Sequence, residues 1–282
     1  MNPKAAAMLR PLVLALPLMT LALPAAAQVA RSVTLCEAED STVNELIAHC
    51  TVAIKSGKLT SEQEARAFLN RGTAFFDRGQ YSLALRDYGL AERLAPDLAP
   101  IYANKANAYV RTGELDRAVM EYDRALSYAP EDVPALVGRG GALLRLGRDQ
   151  EAARAFSRAL QIDPANTSAA YNRGLVAMRL GQPRQAVADF TGVLRAAPED
   201  AEAHVSRGRA YEMMGELNAA YRDYTRAIEI DEGYAFAWFR RGKLMVDDGR
   251  PDQGDADLAK AYKLGYDDPW LAEYVVTMGS RR

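Results

Sequence analysis

Glycine recurs at positions 79, 113, 147, 181, 215 and 249, each step 34 residues. With glycine near 7% of an average chain, six coincidences at one chosen phase have a chance of about 10⁻⁷. A period this long and this strict restricts the chain to architectures made by stacking one supersecondary unit. Four further ladders share it. Gly72, Ala106, Gly140, Gly174, Gly208 and Gly242 stand seven residues earlier. Ala84, Ala118, Ala152, Ala186, Ala220 and Gly254 stand five later. Tyr88, Tyr122, Phe156, Phe190, Tyr224 and Leu258 follow, then Ala91, Ala125, Ala159, Val193, Ala227 and Ala261. Pro96, Pro130, Pro164 and Pro198 close four units.

The ladders have a physical reading. The first small residue, a large residue three later (Phe75, Tyr109, Leu143, Tyr211) and the recurring glycine outline one helix and its stop. Glycine enters the left-handed conformation that ends a helix without strain. Beyond the turn, small residues spaced by seven with an aromatic between them mark one face of a second helix. Proline ends that helix. Neither helix buries its apolar face alone, so the units must stack.

This pattern resembles the tetratricopeptide repeat (TPR) family, whose 34-residue signature runs W-x₂-L-G-x₂-Y, then A-x₃-F, then P. Residues 99–132 show Tyr102, Ala106, Tyr109, Ala118, Tyr122, Ala125 and Pro130, and residues 235–268 show Trp238, Gly242, Gly249 and Ala261. The resemblance implies an all-α fold, a right-handed α-solenoid of six helix-turn-helix units at 65–98, 99–132, 133–166, 167–200, 201–234 and 235–268. The last units depart from the signature: Glu232 and Tyr266 replace proline, and Gly254 and Leu258 replace alanine and the aromatic. Residues 269–282 are expected to cap the end, with a helix in PWLAEYVVTM. At the other end NELIAHCTVAIK resembles a lone second helix, with Leu46, Cys50 and Ala53 in its small, aromatic and small slots. About four extra residues lie in Ser56–Gln63, and 28–64 is read as an N-terminal cap.

Residues 1–27 read as an export signal. Lys4 and Arg10 precede the apolar run LVLALPLMTLAL, and Ala25-Ala26-Ala27 is a small-residue cleavage site. The run is too short, and too rich in proline, for a membrane span. Cleavage near Ala27-Gln28 would make the chain periplasmic or secreted, with 33 basic against 37 acidic residues and no later span. In an oxidising compartment the two cysteines, Cys36 and Cys50, read as a disulfide closing a loop of about 15 residues. Two free buried thiols are the alternative. Their separation does not fit the C-x-x-C of redox pairs.

The balance of 35 basic and 37 acidic residues gives no footprint for nucleic acid. Two histidines and two cysteines leave little for a metal site, and no cofactor is expected. No G-x-S-x-G, H-E-x-x-H, Walker loop or G-x-G-x-x-G occurs, so the chain is read as non-enzymatic. Gly138-Arg139-Gly140-Gly141 falls inside a first helix and reads as packing, and His204 reads as a filler of the tryptophan slot.

Outside the core ladders, a basic residue precedes the small one in every unit: Arg71, Lys105, Arg139, Arg173, Arg207 and Arg241. An acid is read as preceding the aromatic in five of six units, at Asp87, Asp123, Asp189, Asp223 and Asp257, with Ala155 the exception. Helix-joining pairs are the reading of these two sets. The resemblance places Asn70, Asn104 and Asn172 near a concave groove, where amides suit a bound peptide main chain; helix-helix hydrogen bonding is the alternative. Arg111, Arg145 and Arg179 read either as a stripe for carboxylates or as charges at helix C-termini. Phe76, Asn107, Leu144, Tyr171 and Met178 match other groove positions of the family. The expected function is a scaffold of the cell envelope that binds a protein or peptide in the groove. The alternative is an accessory subunit of an envelope enzyme or assembly machine, docked through the convex face or the caps.

Overall fold

The computed structural model describes residues 25–38 and 41–280. Apart from Ala25–Ala27, the expected export signal lies outside the described residues. Among them are fifteen helices and no strand. They are α1 (Ala25–Cys36), α2 (Val43–Lys55), α3 (Ser61–Asp77), α4 (Tyr81–Leu94), α5 (Ala99–Thr112), α6 (Leu115–Tyr128), α7 (Val133–Arg145) and α8 (Asp149–Ile162). Then follow α9 (Thr167–Arg179), α10 (Pro183–Ala196), α11 (Ala201–Met213), α12 (Leu217–Ile230), α13 (Ala235–Asp247), α14 (Pro251–Lys263) and α15 (Pro269–Ser280). From α5 onward, first helices begin at 99, 133, 167, 201, 235 and 269, steps of 34.

Each recurring glycine sits between the two helices of its unit, with φ between 68° and 84°. The next residue donates its amide to the carbonyl of the large-residue slot or its equivalent, as Gln80 does to Phe75 (2.8 Å), Arg148 to Leu143 and Glu216 to Tyr211 (both 2.9 Å). This six-residue ring satisfies a carbonyl that the helix end would leave unpaired. Four other first helices start on a side-chain cap: Asp132, Asn166, Asp200 and Asp268 accept the amides of Ala135, Ala169, Ala203 and Leu271.

The small ladder marks the crossing of the two helices. A Cβ at Gly72 would stand 2.6 Å from the Tyr88 ring, at Gly140 2.6 Å from Phe156, and at Gly208 2.7 Å from Tyr224. The aromatic therefore fills the space the missing side chain leaves, and Tyr88, Phe156 and Phe190 are almost wholly buried. Above this contact the tryptophan slot ties the second, fifth and sixth units to their entry loops. Trp238 donates Nε1 to the Glu232 carbonyl at 3.0 Å, the Tyr102 hydroxyl donates to Pro96, and His204 Nε2 lies 3.1 Å from the Pro198 carbonyl. His204 is thus the structural filler that its position implied.

Register between units is set by the basic ladder, which is buried or half-buried. Arg173, Arg207 and Arg241 each fork onto Asp189, Asp223 and Asp257 of the same unit, at 2.6–2.9 Å. The remaining nitrogen, Nη1, reaches the preceding unit's second helix, at Ser157 (3.3 Å), Thr191 (3.2 Å) and Thr225 (3.1 Å). Arg71 repeats the device with Asp87 and Thr51. One guanidinium thereby joins three helices. The second unit corrects the sequence reading: its acid on this ladder is Glu121, not Asp123. Lys105 Nζ lies 2.6 Å from Glu121 and 2.7 Å from Glu92 of the first unit. Asp123 stands two positions on, in the hydroxyl slot, and takes Arg139 at 2.6 Å.

The N-terminal cap differs from the expectation of a lone second helix. α1 packs along α2 and makes a complete helix pair. Cys36 and Cys50, both buried, bring their sulfurs to 2.11 Å with the Cα atoms 4.7 Å apart. The extra residues before the first unit extend α3 at its start, so it begins at Ser61 and runs 17 residues. At the far end Leu271 of α15 is buried against Phe239, Leu258 and Ala261.

Candidate functional site: the inner face of the arc

Successive first helices, α3 with α5, α5 with α7, α7 with α9 and α9 with α11, approach one another, and no pair of second helices does so to the same extent. The first helices therefore line the inner, concave side of the stack. Where α7, α9 and α11 meet, an open depression of about 360 Å³ is lined by Leu144, Leu175, Met178, Arg179, Arg209 and Met213. These side chains recur at inward positions because a 34-residue step returns each helix face to the same orientation. The floor is aliphatic and thioether, and the rim is guanidinium.

The candidate amides lie along this side but are engaged within the solenoid. Asn70 donates to the Cys36 carbonyl at 2.9 Å and so fastens the end of α1 to α3. Asn104 donates to Thr73 Oγ1 at 3.2 Å, and Asn172 turns back to the Ser168 carbonyl of its own helix at 2.9 Å. Asn107 is exposed, with Oδ1 accepting from the Tyr122 hydroxyl. These bonds are the helix-helix and helix-turn contacts that the sequence reading held as the alternative to peptide capture.

The arginines do something neither sequence reading contained. Arg145 donates Nη1 to the Val110 carbonyl at 3.2 Å, and Arg179 donates Nη1 to the Leu144 carbonyl at 3.4 Å. Each thus holds the C-terminal end of the preceding unit's first helix, not of its own. A cation there also meets the negative end of that helix dipole. Arg179 adds Asp149 at 3.1 Å, while Arg111 donates to the Tyr81 hydroxyl at 3.1 Å. All three remain exposed. Arg209, which the sequence reading did not single out, sits on the same rim with its guanidinium 6.0 Å from the Phe236 ring centre.

Phe76 is half-buried against Tyr81, with ring centres 5.5 Å apart. Tyr171 packs edge-on to Phe190 and donates its hydroxyl to Glu202 at 2.8 Å, near Ser206. Burial, with Glu202 adding to it, pushes that hydroxyl well above the usual tyrosine range. Glu212, at the next inward step, is bound by Tyr224 and Arg240. Among the described residues no group of three or more His, Cys, Asp or Glu side chains is placed to hold a metal ion.

The comparisons with known proteins agree with this geometry. A family model described as tetratricopeptide repeat matches residues 104–167 and 171–235. YrrB, described as a TPR protein with an unusual peptide-binding site, is 26% identical over 67% of this chain and 97% of its own, with a TM-score of 0.59. A tetratricopeptide repeat protein from Parabacteroides merdae is 21% identical over 89% of this chain and 97% of its own, with a TM-score of 0.60. PilF of Pseudomonas aeruginosa is 21% identical over 77% and 100%, with a TM-score of 0.64. The last two, at that identity, bear on the fold alone. No curated relative matches the chain at a significant level. The family model, the 34-residue helix pairs and their stacking identify residues 104–167 and 171–235 as tetratricopeptide repeats, and the likenesses support that fold for the rest of the stack.

Proposed function

We propose that this protein is a non-enzymatic scaffold of the cell envelope that holds a segment of a partner polypeptide on its concave face. The observation that carries the reading is the depression shared by α7, α9 and α11, where Leu144, Leu175, Met178 and Met213 stay open to solvent between arginines. Apolar area bounded by guanidinium groups is the composition of protein-recognition surfaces. The peptide-binding site named for YrrB supports the same use of the fold. Export accords with the reading: cleavage after Ala27 would remove only the first turn of α1, and no described helix is long and apolar enough to cross a membrane.

A second reading, docking through the convex face, is favoured by Met120 and Tyr128 of α6, which are 65% and 50% exposed. Photo-crosslinkers at positions 107, 144 and 178, compared with one at 120, separate the two in intact cells. Adducts to one polypeptide from the inner positions support the groove, and adducts only from 120 move the interface outward. The N-terminal residue of the purified chain, read by mass spectrometry, tests export: an intact Met1 removes that part of the proposal.

A further inference from the structure

We propose a second binding site on the outer side of the stack: a socket in the fourth unit that takes a tryptophan side chain of a partner polypeptide. A cavity of about 500 Å³ opens between α8, α9 and α10, and it shares no residue with the inner depression. Its origin is the tryptophan slot. The six units carry Phe68, Tyr102, Leu136, Ala170, His204 and Trp238 there, so only the fourth leaves the slot small. The position that lies across the slot is small as well. Arg124 of α6 stands 4.2 Å from the centre of the Tyr102 ring, whereas the same position of α10 is Gly192. A Cβ at Gly192 would meet nothing within 4 Å. Ala170 and Gly192 both line the cavity.

The neighbouring units show what fits. An aromatic side chain in this slot meets two fixed groups. One is a cation of the basic ladder: Arg71 lies 5.4 Å from the Phe68 ring centre, Lys105 6.0 Å from Tyr102 and Arg241 5.1 Å from Trp238. The other is the carbonyl six residues back, which takes the Tyr102 hydroxyl at Pro96 and Trp238 Nε1 at Glu232. The fourth unit keeps both groups without the ring. Arg173 lines the cavity with its edge held by Asp189 and Ser157, and no described ring lies against it. Pro164 lines it too, and its carbonyl receives no side-chain donor among the described residues. A cation, an acceptor and an apolar floor of Leu160 and Ala170 match an indole, which offers a π face and one N–H donor. Tryptophan seated in a pocket is also a frequent anchor of protein interfaces. Residues 1–24, 39–40 and 281–282 hold no aromatic side chain, so no segment outside the described residues can supply the ring. It comes from a partner.

The test uses the full chain with isotopically labelled alanine methyls and three capped pentapeptides, Gly-Ser-Xaa-Ser-Gly with tryptophan, leucine or alanine at the centre. The tryptophan peptide is expected to shift the Ala170 and Ala188 methyl signals and to bind about tenfold tighter than the leucine one. Ala170→Leu copies the third unit, where Leu136 is buried, and should remove the response at Ala188. Gly192→Arg copies Arg124 at a position with room for it, and should weaken binding about tenfold. Equal response to tryptophan and leucine, no response to any peptide, or binding unmoved by both variants overturns the proposal. Sedimentation of the full chain checks the remaining occupant. Self-association that Ala170→Leu abolishes would seat a second copy in the socket and overturn the partner.

Discussion

Arg139 of α7 bonds backward to Asp123 of α6 at 2.6 Å, whereas every other arginine of its ladder bonds forward to an acid of its own unit. The forward position, 155, is alanine. The acid has moved into the slot where later units carry Ser157, Thr191 or Thr225. Charge is conserved at the second boundary by rewiring it between units.

The two arrangements differ in environment, and so should their substitutions. Asp123 is 53% exposed, so Asp123→Ala should cost no more than ~1 kcal/mol. The Asp189 side chain is 4% exposed, and Asp189→Ala would strand Arg173, costing about 3–5 kcal/mol. Urea unfolding of both variants measures the contrast. Equal losses would mean the rewired pair is not the weaker one.

Neighbouring glycines of α7 should respond with opposite sign. A Cβ at Gly141 meets nothing within 4 Å, so Gly141→Ala should stabilise by about 0.5–1 kcal/mol through helix propensity. Gly140→Ala drives a methyl against Phe156, and overpacking of about 1–3 kcal/mol should outweigh the same gain. Thermal unfolding of the two single variants decides it. A stabilised Gly140→Ala would show that the helix crossing opens freely.

Acid should attack the fifth unit through Asp223. Burial pushes its pKa up, but hydrogen bonds from Arg207 and His204 outweigh burial and hold it below the ordinary 3.8. A lowered folded value contributes stability above the unfolded pKa, and that stability is lost as pH falls through the folded one. Stability should therefore drop as pH falls below about 4, and less steeply in Asp223→Asn. At the alkaline end, burial pushes Tyr88 and Tyr122 up to about 12, so folding should weaken between pH 10 and that value as the unfolded chain ionises first. Ultraviolet titration of the folded protein should leave these phenols protonated at pH 11.

The cysteines should matter locally more than globally. Cys36 and Cys50 are 1% and 0% exposed and pin α1 to α2, while Asn70 holds the same end of α1 to α3. Cys36→Ser with Cys50→Ser should remove ~3 kcal/mol from this cap by the loop-entropy argument. Hydrogen exchange should accelerate in α1 and α2 and stay unchanged from α5 onward. Acceleration spread evenly over all units would contradict nearest-neighbour stability in the stack.

The helix pairs were legible from Gly72 and its successors because close crossing admits only the smallest side chains, and a steric demand of that kind survives as residue identity. The hydroxyl slot was not. Ser157, Thr191 and Thr225 look like surface residues until a guanidinium from the next unit is placed against them. Asn104 and Asn172 show the same limit: an amide suits a ligand, a neighbouring helix and its own helix turn equally, and sequence alone does not show that Asn104 meets Thr73 while Asn172 turns back to Ser168. The helix of α1 was hidden because its alanine-rich start follows closely on the apolar run at residues 12–23. Arg145 and Arg179 were visible as a ladder, but their reach to the preceding unit required the curvature that brings first helices together.

The three-helix grip of Arg71, Arg173, Arg207 and Arg241 makes the array directional, since each of their modules recognises its predecessor through one fixed pair of groups. The second and third modules are keyed to each other by Asp123 and Arg139 instead. Transplanting either one elsewhere in the array would leave a stray charge at the new junction, so the sequence order of apparently interchangeable pieces is locked at that seam.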